Sequence, residues 1–117
     1  MASKRQQQVS ELVKRHFSTV LLQEGSYIYD QALVTVTNVV VSSDLRHAKI
    51  YLSVYNREDK SNVILEMEEE KSRLKSLFGN SIRKHIKRVP EIDFYLDETL
   101  DEMYRLNQLF DNINHKK

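Results

Sequence analysis

The chain has 117 residues, 40% hydrophobic and 30% charged, a composition that suits one modest folded core rather than a disordered segment. It contains no cysteine, which excludes disulfide staples, thiolate zinc sites and thiol catalysis. The formal net charge of +1 conceals segregation, with acid gathered from Glu91 to Glu102 beside a basic stretch from Lys71 to Arg88, and a local positive face of that kind suits a polyanionic partner.

In chain order, the polar start Met1-Ala2-Ser3-Lys4-Arg5 lacks the apolar core of a signal peptide, and no run reaches bilayer length. A cytoplasmic protein without membrane association is therefore expected. Residues 4–24 are predicted as a helix, because Val9, Leu12, Val13, Phe17, Val20 and Leu21 recur at spacings of three and four. Gly25 is placed as its C-terminal cap. His16 borders the apolar stripe without a ligand-type partner at helical spacing, so it reads as a boundary residue. Residues 27–31 are read as a connection.

From Ala32 to Val41 the residues are mostly β-branched, which marks a strand. Val34 and Val36 share one parity and Val39 and Val41 the other, so one extra residue near Thr37-Asn38 is expected to form a bulge that returns all four to one face. Ser42-Ser43-Asp44 is turn chemistry. The alternation from His47 to Tyr55 turns Ala48, Ile50, Leu52 and Val54 inward and Lys49, Tyr51, Ser53 and Tyr55 outward. An antiparallel hairpin follows from the short connection.

After a polar loop with Ser61 as N-cap, a helical segment is predicted from Val63 to Val89. Its apolar seam is interrupted at Glu70-Lys71-Ser72, where a straight packed helix would bury charge, so a bend between two helices is expected there. Pro90 stops the second helix. Ile92, Phe94 and Leu96 alternate as a third strand. Thr99 to Glu102 fits a capping box, and Leu100, Met103, Leu106, Leu109, Phe110 and Ile113 outline a terminal amphipathic helix. The resulting order is helix, strand, strand, helix, helix, strand and helix: an α+β domain with helices on one face of a three-stranded sheet, read as a single domain over residues 1–117.

Catalysis finds little support. His47 sits in a turn without an evident nucleophile, and the acids Asp93, Asp97 and Asp101 are explained by a strand surface and a helix start as well as by a cation site. Only Gly25 and Gly79 are available, so there is no glycine-rich phosphate cradle. No enzyme activity, cofactor or metal is expected. The cations have a clearer use: Lys71, Arg73, Lys75, Arg83, Lys84, Lys87 and Arg88, on the predicted helix pair, could neutralise phosphates in a salt-dependent manner largely indifferent to sequence. Tyr51, Tyr55 and Tyr95 are outward candidates for stacking on bases. The alternative is a protein-interaction module that uses the open sheet face or the terminal helix.

Three blocks carry a more specific signal. Val34-Thr-Val-Thr-Asn-Val, then Ser43-Asp44-Leu45 with Ala48-Lys-Ile-Tyr-Leu-Ser-Val54, then Arg88-Val-Pro-Glu-Ile-Asp-Phe-Tyr-Leu-Asp97 resemble the ribosome-binding factor A family over about residues 5–110. The resemblance implies a KH-like domain of the type II order, and binding to the small (30S) ribosomal subunit through its 16S rRNA near the neck and decoding region. It further implies a monomeric, non-enzymatic factor in late rRNA processing and subunit maturation, important in the cold, with assembly GTPases as candidate further partners. The chain lacks the Gly-x-x-Gly loop with which other KH domains clamp single strands. Glu70, Lys71 and Ser72 stand where many family members have an Ala-x-Gly kink. The expected RNA contacts are Lys71, Arg73, Lys75, Asn80, Arg83, Lys84, Lys87 and Arg88, flanked by Arg5, Arg15 and Arg46.

Overall fold

The computed structural model describes residues 3–29, 32–55 and 58–98. Apolar residues at helical spacing bury Val9, Val13, Phe17, Val20 and Leu21 along one stripe of α1 (Lys4–Tyr29). This helix continues through Gly25, which is buried inside it, and does not end there as its residue type suggests. Apolar packing on both sides of the glycine outweighs its weak helix propensity, worth only about 1 kcal/mol. Next come β1 (Leu33–Val41) and β2 (His47–Tyr55), then α2 (Lys60–Glu69), α3 (Lys71–Ile82) and β3 (Glu91–Leu96). This α+β order is the KH-like order expected; the terminal helix and the Thr99 capping box lie outside the described residues.

The sheet has the order β1-β2-β3, antiparallel between β1 and β2 and parallel between β2 and β3. The parallel pairing needs the α2–α3 pair as its crossover. Pairing shifts between Val36 and Asn38, so Thr37 is the extra residue of the expected bulge, and Val34, Val39 and Val41 are all buried. The core between sheet and helices centres on Phe17, whose ring lies edge-on to Phe78 at 5.9 Å and 5.4 Å from Phe94. On the outer face, Ser53 is buried where exposure was expected. Its short side chain lies between Tyr51 and Tyr55 along the strand and opposite Thr35, so larger neighbours shield it.

The expected bend falls at Glu70, which ends α2 and precedes α3 with φ −99° and ψ 15°. Two other expectations are corrected. Asp59, and not Ser61, is the N-cap position of α2. The second helix stops at Ile82 instead of running to Val89. In a continued helix Arg83 would lie one turn from Lys87, and Lys84 one turn from Arg88, and like charges at that spacing repel. The chain instead turns at once, with the His85 amide donating to the Ile82 carbonyl at 2.8 Å. Ile86 then folds back into the core and Pro90 is buried ahead of β3.

Candidate nucleic-acid interface

Residues 83–88 form the most cationic surface of the described chain outside a regular element. Burial of Ile86 on one side forces Arg83, Lys84, His85, Lys87 and Arg88 outward, and all five are exposed. Arg83, Lys84, Lys87 and Arg88 have no carboxylate partner among the described residues. The C-terminal end of α3 carries the negative pole of the helix, which favours cations at Arg83 and Lys84 without neutralising them toward solvent.

Lys71, Arg73 and Lys75 differ. Lys71 Nζ donates to Asp93 Oδ1 at 2.8 Å, and this hydrogen bond raises the lysine above its ordinary pKa. Arg73 donates to Glu24 at 2.5 Å, tying α3 to α1. Lys75 donates to Glu91, whose carboxyl is held below its usual range by that bond. Acids from α1 and β3 thus offset the cations of the first half of α3, which sequence spacing alone had grouped with the rest. The sequence separation of these pairs, 49 residues for Arg73 and Glu24, hides them from any local pattern.

The flanking arginines Arg5, Arg15 and Arg46 are exposed. Next to Arg5, Gln6 donates its side-chain amide to the Val41 carbonyl at 3.0 Å, which fixes the start of α1 beside the end of β1. Arg15 precedes His16, whose ring lies 5.0 Å from that of His85 in the basic segment. The Arg46 carbonyl accepts from the Glu91 amide at 2.7 Å, which joins the β1–β2 turn to the start of β3. That turn is stiff: Asp44 Oδ1 accepts from Ser42 Oγ at 2.6 Å and from the Arg46 amide at 3.1 Å, and Leu45 is held with φ 62°. The Ser42 bond is the main cause of an Asp44 pKa below the usual carboxylate value.

Asn80 is exposed on α3 and lines a groove of about 330 Å³ together with Ser72, Lys75, Ser76, Gly79, Arg83 and Val89. Sequence reasoning singled out Lys75, Asn80 and Arg83 but missed the small residues and Val89. The spacing of Ser72, Ser76 and Gly79 on one side of a helix was the readable signal. His16 was read as a boundary residue, and its partners Ser81 and His85 had no signature in spacing. On the opposite face of the sheet Tyr51 and Tyr95 stack at 5.4 Å, with Lys49 Nζ 5.9 Å from the Tyr95 ring. The acids Asp93 and Asp97 have separate partners, because Asp93 meets Lys71 while Asp97 accepts from Thr37 Oγ1 at 2.5 Å. Among the described residues no group of metal-ligating side chains is assembled, and no helix is long and apolar enough to cross a membrane.

Comparison with known proteins agrees with this architecture. The family model for ribosome-binding factor A matches residues 5–110. The ribosome-binding factor A of Cytophaga hutchinsonii is 33% identical over 117 residues, covering all of this chain and 88% of that protein. Its counterpart in Legionella pneumophila is 35% identical over 111 residues, covering 95% of this chain and 88% of that one. The crystal structure of ribosome-binding factor A from Thermus thermophilus superposes with a TM-score of 0.63 at 18% identity, covering 78% of this chain and 94% of that one. A homology model of the Thermus thermophilus factor, fitted into a cryo-EM map of a 30S complex, gives 0.57 at 19% identity, covering 75% of this chain and 90% of that one. These likenesses in sequence and fold make the chain a member of the ribosome-binding factor A family.

Proposed function

We propose that this protein is a non-enzymatic assembly factor that binds the small ribosomal subunit through 16S rRNA and acts late in its maturation. Residues 1–117 would act as one KH-like RNA-binding domain, monomeric and cytoplasmic, in a process most demanding in the cold and shared with assembly GTPases. The family supports a ribosome-binding role, and one structural relative is described in a 30S complex.

The observation that carries the reading is the segment 83–88, where Arg83, Lys84, Lys87 and Arg88 stand exposed and free of carboxylates among the described residues. Each can take a phosphate. Because Ile86 is buried and His85 lies against His16, the segment is held at a fixed spacing rather than trailing as a loose basic loop. A rigid row of cations selects folded RNA whose phosphates match it. Arg5, Arg15 and Arg46 extend the contact, Asn80 adds a neutral donor, and Lys71, Arg73 and Lys75 contribute less because carboxylates share them.

The test is gradient sedimentation with small subunits at two salt concentrations, comparing the native protein with a variant carrying alanine at Arg83, Lys84, Lys87 and Arg88. The variant is expected to leave the subunit fraction and to retain its thermal midpoint, since none of these side chains is buried. Undiminished co-sedimentation of the variant would refute the assignment. A second reading, docking of a protein, is favoured by the exposed Leu33, Val40, Tyr55 and Tyr95 on the outer sheet face. It requires association that salt scarcely weakens.

A further inference from the structure

The groove along α3 joins two chemistries. Its rim carries Arg83 and Asn80, none of its lining residues is acidic, and Val89 gives it an apolar wall. The Arg83 guanidinium lies 4.0 Å from the position a Cβ on Gly79 would take, so this exposed side chain reaches back along α3 to the edge of the groove. Lys75 adds a second cation, shared with Glu91. Ser72 and Ser76 supply hydroxyls that can donate or accept. A purely inorganic anion would leave the apolar wall at Val89 unused. A purely apolar ligand would desolvate Arg83 without compensation.

From this arrangement we infer that the groove holds a single unpaired RNA nucleotide, with its phosphate on Arg83 and Lys75 and its base against Val89. The volume of about 330 Å³ falls at the lower end of small-ligand sites, which run from about 300 to 1,000 Å³ and so admit one nucleotide but not a base pair. RNA is the source of that nucleotide because the groove opens beside the cations of residues 84–88, which meet no carboxylate among the described residues and can hold the phosphates on either side of a base turned out of its strand. Asn80 and Ser76 can then read the base edge, giving the sequence preference that phosphate contacts lack. The inference rests on the rRNA-binding reading for its choice of ligand, and is separable from it by experiment.

Isotope-labelled protein is titrated with adenosine 5′-monophosphate and, separately, with inorganic phosphate, while amide resonances are followed. The nucleotide is expected to move Ser76, Gly79, Asn80 and Val89, and phosphate alone is expected to leave Gly79 and Val89 in place. Ser76→Leu fills the groove from an exposed helix position without changing charge. It should abolish the nucleotide shifts and weaken subunit binding about tenfold, the size of one lost base contact. Asn80→Ala, also exposed, should weaken both in the same direction. Equal responses to nucleotide and phosphate, or a Ser76→Leu protein that binds subunits as the native one does, overturn the inference. Failure of the native protein to sediment with subunits removes the rRNA reading alone, and the titration then decides the groove by itself.

Discussion

His16 on α1 and His85 in the basic segment lie ring to ring, with centroids 5.0 Å apart and planes tilted by 43°. His16 Nδ1 also shares a hydrogen bond of 2.6 Å with Ser81 Oγ on α3, so one imidazole links the first helix to both α3 and the segment that follows it. Burial lowers the pKa of His16 from its ordinary 6.5, and the neighbouring His85 and Arg15 lower it further. The folded state then binds fewer protons than the unfolded state, so stability rises with pH. The His16 contribution is complete above about 6.5 and declines as pH falls from there to the folded value. Thermal midpoints between pH 8 and pH 5 should therefore fall more steeply for the native protein than for His16→Gln. Parallel curves would show that His16 does not titrate as its surroundings dictate.

The division of cations into paired and unpaired sets can be measured directly. Lys84→Gln with Lys87→Gln removes two exposed charges that have no acid partner among the described residues, and the slope of log binding constant against log salt should flatten by about 1.8. Lys71→Gln with Arg73→Gln removes the same formal charge, but Asp93 and Glu24 already offset it. Less than half that change in slope is expected, at a stability cost under about 1 kcal/mol per pair, as for other partly exposed ion pairs. Equal slopes for the two double variants would show that ion pairing does not screen these residues from RNA.

Deleting Thr37 offers a test of the bulge. Without it Val36, Asn38 and Val39 alternate regularly, so Val34, Val36, Val39 and Val41 keep their shared face. The shortened protein should fold. It loses the Thr37 bond to Asp97, an interaction with a charged acceptor, and with it about 1.5 to 3 kcal/mol measured by denaturant unfolding. A chain unable to fold would show that the bulge sets the strand's twist as well as its register.

Gly79→Ala is expected to stabilise the protein. A Cβ at this position would meet both Val89 methyl carbons at 3.9 Å, which is ordinary contact, and alanine removes backbone freedom that glycine brings to a helix interior. A gain of about 0.5 to 1 kcal/mol should appear in chemical denaturation. A loss would mean that Val89 cannot tolerate the added methyl group.

Periodicity along the chain was enough to specify the order of the six described elements, most of their buried faces, the bulge at Thr37 and the bend at Glu70, because each depends on neighbours within a few residues. The three blocks that resemble the ribosome-binding factor A family carried the rest of the fold, and the family model confirms them. Three things were decided by tertiary contacts. The parallel placement of β3 beside β2 depends on how the crossover helices pack. The end of α3 at Ile82 depends on Ile86 finding the core. The separation of Lys71, Arg73 and Lys75 from the cations that meet no carboxylate among the described residues depends on Asp93, Glu24 and Glu91 arriving from distant positions. Sequence determines which residues carry charge, but only the folded chain determines which charges meet an opposite one, since electrostatic partners are chosen by distance in space.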